Sequence, residues 1–170
     1  MNNNHVEIER KFLLRNDDWR KDVYASFDII QGYLAKDGDK TVRIRTRGDQ
    51  GFITIKGKAP KDDPLAVPEF EYEIPHSDAL ALLKMCGNDL ITKTRHLVQN
   101  GAHIFEIDVF KGANQGLIVA EIELTHSDEA FNHPAWLGEE VTDDKRYKNA
   151  RLVTNPYTTW DKVAPLKLKP

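Results

Sequence analysis

The chain has 170 residues, 40% of them hydrophobic and 30% charged, the length and composition of one globular domain. A formal net charge of −3 excludes a basic field for nucleic acid, and a single cysteine, Cys86, excludes an internal disulfide and fits a reducing compartment. The polar opening Met1 to His5 is no signal peptide and no run of eighteen apolar residues occurs, so a soluble cytoplasmic protein with no membrane partner is expected.

Strand-like alternation dominates the chain order. It runs through His5 to Leu14, Asp28 to Ala35, Lys40 to Arg47, Phe52 to Lys58, Val67 to Ile74, Leu90 to Val98, His103 to Phe110 and Leu117 to Leu124. Short glycine-bearing turns join several of these segments, and Asn100-Gly101 is the strongest hairpin signal, so neighbours are antiparallel. Helix signals are fewer. Ser77-Asp78 reads as an N-cap for Ala79 to Met85, with Gly87 as the stop. Asn16 to Tyr24 and Asp144 to Leu152 are weaker helical segments, and Ser127 to Phe131 fits a single turn before Pro134. No repeat divides the chain, so residues 1–170 are expected as one domain, with a loose tail after about residue 160, clearest from Pro165 to Pro170.

Alternate residues of a strand share a face, and here one face is charged in nearly every segment. Glu7, Glu9 and Lys11 oppose Val6 and Ile8. Arg43 and Arg45 oppose Val42 and Ile44, and Lys56 opposes Ile53 and Ile55. Glu71 and Glu73 oppose Phe70 and Tyr72. Lys93 and Arg95 share a face, as do Glu106 and Asp108, and Glu121 and Glu123. A single such strand reads as a wet-faced sheet. The joint pattern, with signs segregated by strand and few neutral polar residues among them, reads differently. Eight strands can close into a barrel with the charged face inside and the apolar face outside, under the helices. The expected fold is therefore α+β, mainly β: a closed eight-stranded antiparallel β-barrel tunnel with a charged interior and a few flanking helices. Part of the outward apolar face could serve a homodimer.

A charged interior is costly unless a highly charged polar ligand fills it. The six bases suit phosphate oxygens. The eight acids would repel a phosphate chain unless hard divalent cations bridge the two. The residues alone thus point to a metal–polyphosphate ligand, without specifying a reaction.

Glu7-Ile8-Glu9-Arg10-Lys11 resembles the Glu-x-Glu-x-Lys signature of the CYTH family, the triphosphate tunnel metalloenzymes. Val42-Arg43-Ile44-Arg45, Ile53-Thr54-Ile55-Lys56-Gly57, Glu71-Tyr72-Glu73, Lys93-Thr94-Arg95, Glu106-Ile107-Asp108, Glu121-Ile122-Glu123 and Asp144-Lys145-Arg146-Tyr147-Lys148-Asn149 resemble family segments in family order, covering about residues 5–152. The resemblance implies an Mg²⁺ or Mn²⁺ cofactor on Glu7, Glu9, Glu121 and Glu123, with Asp108 and Glu106 nearby. It implies a small-molecule triphosphate held by Lys11, Arg43, Arg45, Lys56, Lys93, Arg95 and Arg146, the last on a C-terminal helix closing one mouth. Lys93 is also a candidate proton acceptor, because Arg95 beside it would lower its pKa. Glu71 and Glu73 either bind metal or hold the bases. The short length and the Arg-Tyr-Lys-Asn segment look most like the small bacterial inorganic triphosphatases. Cyclisation of ATP to cAMP, thiamine triphosphate hydrolysis and a catalytically silent polyphosphate-binding module are the alternatives.

Other motifs carry less. Gly51 to Lys58 has the wrong spacing for a phosphate loop and alternates as a strand. The six histidines show no ligand spacing. Cys86 reads as core.

Overall fold

A computed structural model describes residues 5–161, so the expected tail from Pro165 to Pro170 lies outside the described residues. The strands are β1 (Val6–Leu14), β2 (Val23–Asp37), β3 (Lys40–Arg47), β4 (Gln50–Lys56), β5 (Ala66–Ile74), β6 (Ile91–Asn100), β7 (His103–Phe110), β8 (Ile118–Glu123) and β9 (Leu137–Glu140). Eight of them close in the order β5-β4-β3-β2-β6-β7-β8-β1, with β1 returning to pair with β5. Every pairing is antiparallel. The alternation and the closure expected from sequence are both present.

The inversion expected from sequence is present too. Charged side chains of β1, β3, β4, β5, β6, β7 and β8 converge on one lumen, while the opposite faces of the strands are covered from outside. Ile8, Phe12, Val98, Phe105, Ile107 and Ile122 pack under Trp19, Phe131 and Trp136. Each fully buried aliphatic or aromatic side chain of this kind contributes about 1.5–3 kcal/mol, so the outer shell, not the lumen, supplies the cohesion. Helix α1 (His76–Met85) covers β3 and β4 through Ala79 and Leu83 against Ile44 and Ile53. It begins after Pro75, not at Ser77-Asp78, because a proline fits a helix start without losing a needed donor. Ile55, Phe70 and Tyr72 remain exposed on the outer face of β4 and β5.

One end of the lumen is apolar. Ile91, Phe110 and Val119 share the inward faces of β6, β7 and β8, and pack with Leu117 and Leu152. Phe110, on the charged side of β7, therefore forms part of a plug and not a ligand pocket.

Several segments differ from the expectation. Only Asp18–Asp22 is helical within Asn16 to Tyr24, as one 3-10 turn, and β2 begins at Val23, five residues before the expected start at Asp28. The single turn expected over Ser127 to Phe131 is present but shorter, at Ser127-Asp128, closed by the Glu129 amide on the His126 carbonyl. Asp144 to Leu152 splits into a 3-10 turn, Lys145–Tyr147, and a four-residue helix α2 (Asn149–Leu152). The β6–β7 hairpin turns at Gly101-Ala102, one position later than Asn100-Gly101, since Asn100 still pairs with His103 and Gly101 carries the positive φ of 62°. Among the described residues no helix is long and apolar enough to cross a membrane.

β9 has no sequence signal of its own. One edge of β1 pairs with β5 through Val6, Glu7 and Ile8, and with β9 through Phe12 and Leu14. β9 thus continues the wall where β5 has diverged. The amide of Lys11 donates to Thr142 Oγ1 and that of Val141 to the Lys11 carbonyl. The close approach requires Gly138, where a Cβ would stand 2.7 Å from the Leu13 carbonyl oxygen. Gly138→Ala is expected to lower stability by about 1–3 kcal/mol through this clash with rigid backbone, read as a lower Tm. An unchanged Tm would show that β9 is not held against β1 in this way.

Candidate active site in the barrel lumen

The lumen is a cavity of about 710 Å³ whose lining carries eleven bases and ten acids. Near-neutral in sum, the lining is divided by strand. Arg43, Arg45 and Arg47 stand on β3. Glu121 and Glu123 stand on β8, directly across the ring, and Glu7 and Glu9 follow on β1.

The deepest element is a chain of alternating charges. Asp108, fully buried, accepts from Arg95 Nε and Nη2 at 2.7 Å each and from Lys93 Nζ at 2.5 Å. Arg95 also donates to Glu106 and, at 2.8 Å, to Glu121, which pairs with Lys11 at 2.8 Å. Burial opposes ionisation of Asp108 and Glu121. Arg95 and Lys93 nevertheless hold the Asp108 carboxyl below its usual range, and Lys11 and Arg95 hold Glu121 well below it. Both Asp108 oxygens are taken by Arg95 and Lys93, and Asp108, expected near the metal set, is not among the residues that line the lumen. Lys93, expected as a phosphate contact and proton acceptor, is not among the residues that line the lumen. It lies beneath the lining, under Arg95 and over the Phe110 ring, with a second contact to Asn149 Oδ1 at 3.3 Å. Burial, then Arg95, lowers its pKa to about 8 against the pull of Asp108.

The β3 arginines are less saturated. Arg45 donates to Glu71 at 2.9 Å, and Arg43 to Thr54 at 3.2 Å and Glu71 at 3.4 Å. Thr54 donates to the same carboxylate at 2.8 Å. Glu71 therefore orients bases; its carboxyl, raised by burial, is drawn lower overall by Arg45 first and then by Thr54. The Nε atoms of Arg43, Arg45 and Arg47 are buried without any acceptor. A buried donor left unmatched costs about 1–3 kcal/mol, and three in one row leave the β3 guanidinium groups under-partnered beside the lumen. Burial and then Arg43 lower the Arg45 guanidinium to about 10. Lys56 pairs with Glu7 and, at 2.9 Å, with Glu69.

The sequence reading missed Arg47, Glu69 and Tyr33, all in the lining. Alternation from Arg43 and Arg45 could have found Arg47, and alternation from Glu71 could have found Glu69. Tyr33 adds an aromatic ring to the otherwise charged strand faces of the lining. Arg146 is not brought to the lining. It is clamped on Asp144 at 2.6 Å and stacked over Trp160 and Tyr147, while Lys145 and Lys148 line the mouth instead.

Among the described residues no three His, Cys, Asp or Glu side chains stand together at ligand spacing. The chemistry of the donors still fits a hard divalent cation. Glu9 and Glu123 face each other directly across β1 and β8, an arrangement of like charges that is unfavourable by itself. Burial, then Glu121 and Glu7, pushes the Glu9 carboxyl up to about 8, and burial, then Glu7 and Glu106, raises Glu123. A cation among carboxylate oxygens relieves such crowding. Glu9, Glu123 and the adjacent Glu7 and Glu121 are the residues that could hold one.

The raised Glu9 carboxyl has a pH signature. It keeps its proton in the folded protein up to about 8 but loses it in the unfolded chain near 4.5. Stability is therefore lost as pH rises from about 4.5 to about 8. In EDTA, Glu9→Gln should melt above the unsubstituted protein at pH 8 and together with it at pH 4.5. A lower Tm for Glu9→Gln at pH 8 would show that the charge of Glu9 is structural.

This geometry has counterparts. The CYTH domain pattern matches residues 5–157. An inorganic triphosphatase of Acetivibrio thermocellus is 41% identical over 152 residues, spanning 89% of this chain and 95% of that protein. An inorganic triphosphatase of Nitrosomonas europaea is 35% identical over 151 residues, spanning 86% and 96%. A crystal structure of an inorganic triphosphatase superposes with a TM-score of 0.61 at 34% identity, covering 86% of this chain and 93% of that one. With its sequence pattern, barrel and charged lumen in agreement, the chain belongs to the CYTH domain family.

Proposed function

We propose that this chain is a metal-dependent inorganic triphosphatase that cleaves tripolyphosphate to pyrophosphate and phosphate in the barrel lumen. The observation that carries the reading is the β3 row of buried, acceptor-less arginine Nε atoms facing a crowded carboxylate wall, in a chain similar over most of its length to proteins named inorganic triphosphatases. The basic row matches phosphate oxygens, and the carboxylate wall matches a hard cation.

In this reading Arg43, Arg45, Lys56 and Lys11 bind the phosphates and stabilise charge on the transferred group. Glu7, Glu9, Glu121 and Glu123 hold Mg²⁺ or Mn²⁺. When bound, the cation supplies charge neutralisation and Lewis acidity toward phosphate oxygens. Arg95 contributes field to the lumen while its donors stay on Asp108, Glu106 and Glu121. Lys93 anchors Asp108 from beneath. Lys58, Lys61, Lys145, Lys148 and Arg151 at the mouth raise the local concentration of anions.

Two measurements test the reading. Tripolyphosphate should show a higher kcat/KM than ATP in Mg²⁺, with no cAMP formed, and EDTA should abolish turnover until Mg²⁺ or Mn²⁺ is restored. Preference for ATP, cAMP among the products, or full activity in EDTA would each count against it. Arg43→Ala and Arg45→Ala should each remove about 2–4 kcal/mol of transition-state stabilisation. Arg10 faces outward, paired with Glu140 and stacked over Phe12 and Phe131. Arg10→Ala should lose some stability and leave kcat/KM unchanged. Equal damage from Arg10→Ala would show that these effects come from the fold and not from the lumen.

A further inference from the structure

Four arginines stand on the strand faces of the lumen: Arg43, Arg45 and Arg47 on β3, and Arg95 on β6. Arg43 and Arg45 pair with Glu71, and Arg95 pairs with Glu106, Asp108 and Glu121. Arg47 differs. Among the described residues it has no carboxylate partner, and its guanidinium donates to a neutral amide oxygen, Gln50 Oε1, at 3.2 Å. Rings hold it instead. Arg47 Cζ lies 4.9 Å from the centroid of Phe52 and 5.6 Å from that of Phe27. Both rings are on inward faces: Phe52 shares the side of Thr54 and Lys56 on β4, and Phe27 registers with Arg95. Aromatic faces attract a guanidinium and stack on its plane without neutralising it. A carboxylate in their place would cancel the charge toward an incoming anion. Glu71 feels Arg47 only as a field, behind Arg45, Thr54 and Arg43.

Position gives this cation its use. Arg47 is the last residue of β3, partly buried, and faces Gln50 across the β3–β4 turn. Lys56 lies at the other end of the same pair of strands, opposite Thr41 and beside Arg43. Arg43 and Lys56 therefore mark one end of the basic row and Arg47 the other. At about 3.3 Å per residue the row runs about 13 Å from Arg43 to Arg47. A triphosphate, three phosphorus atoms joined through two bridging oxygens, is shorter than that. Arg45 shares the Phe52 ring, at 5.5 Å, so Arg47 is the next base along the row after those assigned to the triphosphate.

We propose that Arg47 is a distal phosphoryl subsite, which takes one phosphoryl group beyond the three of a triphosphate: the end of a longer inorganic polyphosphate or a free orthophosphate. The proposal rests on the inorganic triphosphatase reading for the place of the triphosphate, and on Arg47 and its rings for the subsite. Wild type, Arg47→Met and Arg47→Lys are to be compared by turnover of tripolyphosphate and tetrapolyphosphate in Mg²⁺, by orthophosphate inhibition of tripolyphosphate turnover, by calorimetric titration with each of these anions, and by Tm. Loss of a charge-assisted hydrogen bond should weaken the extra contact about tenfold or more in Arg47→Met, with a wild-type Tm, while Arg47→Lys keeps most of it. If kcat/KM falls by that much more for tetrapolyphosphate than for tripolyphosphate, the subsite takes a chain end. If orthophosphate inhibition weakens by that much instead, it takes a free phosphate. An equal loss on both polyphosphates at a wild-type Tm overturns the proposal and puts Arg47 in the triphosphate site. Unchanged kinetics and binding, or a Tm and all activities that fall together, overturn it and leave an arginine that only packs between rings. Should Arg47→Met not fold, Arg47→Gln carries the same comparison. A wild type that binds but does not cleave tripolyphosphate overturns the enzyme reading and leaves the titrations to decide Arg47. A wild type that binds none of the anions overturns both.

Discussion

The fork between Arg95 and Asp108 is the interaction on which the rest of the lumen depends. Asp108 is fully buried and has no exit to water, so its charge is tolerable only while two N–H groups of Arg95 and the ammonium of Lys93 stay within bonding distance. Removing one partner of such a pair leaves an uncompensated buried charge, a loss of about 3–5 kcal/mol. From this anchor the charges propagate in order. Arg95 holds Glu121, Glu121 holds Lys11, and Lys11 stands 3.7 Å from Glu9, where pairing gives out. The crowding at Glu9 and Glu123 is therefore the free end of a sequence that begins as a structural necessity. Saturation at one end and frustration at the other give the lumen its polarity.

The same logic explains the inverted barrel. An ordinary small barrel fills its interior with apolar side chains. Here most apolar contacts lie outside, under Trp19, Trp136 and α1, while inside Ile91, Phe110 and Val119 form a plug and Phe27 and Ile29 give β2 an uncharged inner face. Rigidity imposed from outside lets the interior keep Arg43, Arg45 and Arg47 with unmatched Nε donors. A softer wall would collapse until those donors found partners.

How far the sequence revealed this architecture depended on how strongly each residue advertises its face. Glu7, Glu9, Arg43, Arg45, Lys56, Glu121 and Glu123 alternate with aliphatic residues, so burial of one face fixed the other. Tyr33 was missed because β2 carries no inward charge; Phe27, Ile29 and Gln31 leave its inner side looking like an outer one. Glu69 was overlooked behind Pro68, a residue that usually ends regular pairing and here sits at the β1–β5 junction opposite Val6. Asp108 alternates correctly but cannot reveal that both its oxygens are taken, since that depends on Arg95 from a neighbouring strand. β9 was invisible for a similar reason: four residues with two glutamates have no periodicity, and their place is set by an edge of β1 that β5 leaves uncovered. Arg146 shows the limit of a local motif, because Asp144, two residues away, captures its guanidinium.

The C-terminal segment meets three lysines through neutral oxygens. Lys11 reaches the Tyr147 carbonyl at 3.4 Å, Lys93 the Asn149 amide oxygen at 3.3 Å, and Lys36 the Ala150 carbonyl at 3.5 Å. All three distances lie at the long end for hydrogen bonds. The segment therefore acts toward these ammonium groups as a sparse, covalently tethered solvation shell. An anion arriving at Lys11 would trade one weak dipole of this segment for full charge, with no strong bond to the segment to break. The hold of the segment on the lumen is thus dipolar and loose, in contrast to the tight ionic anchor at Asp108.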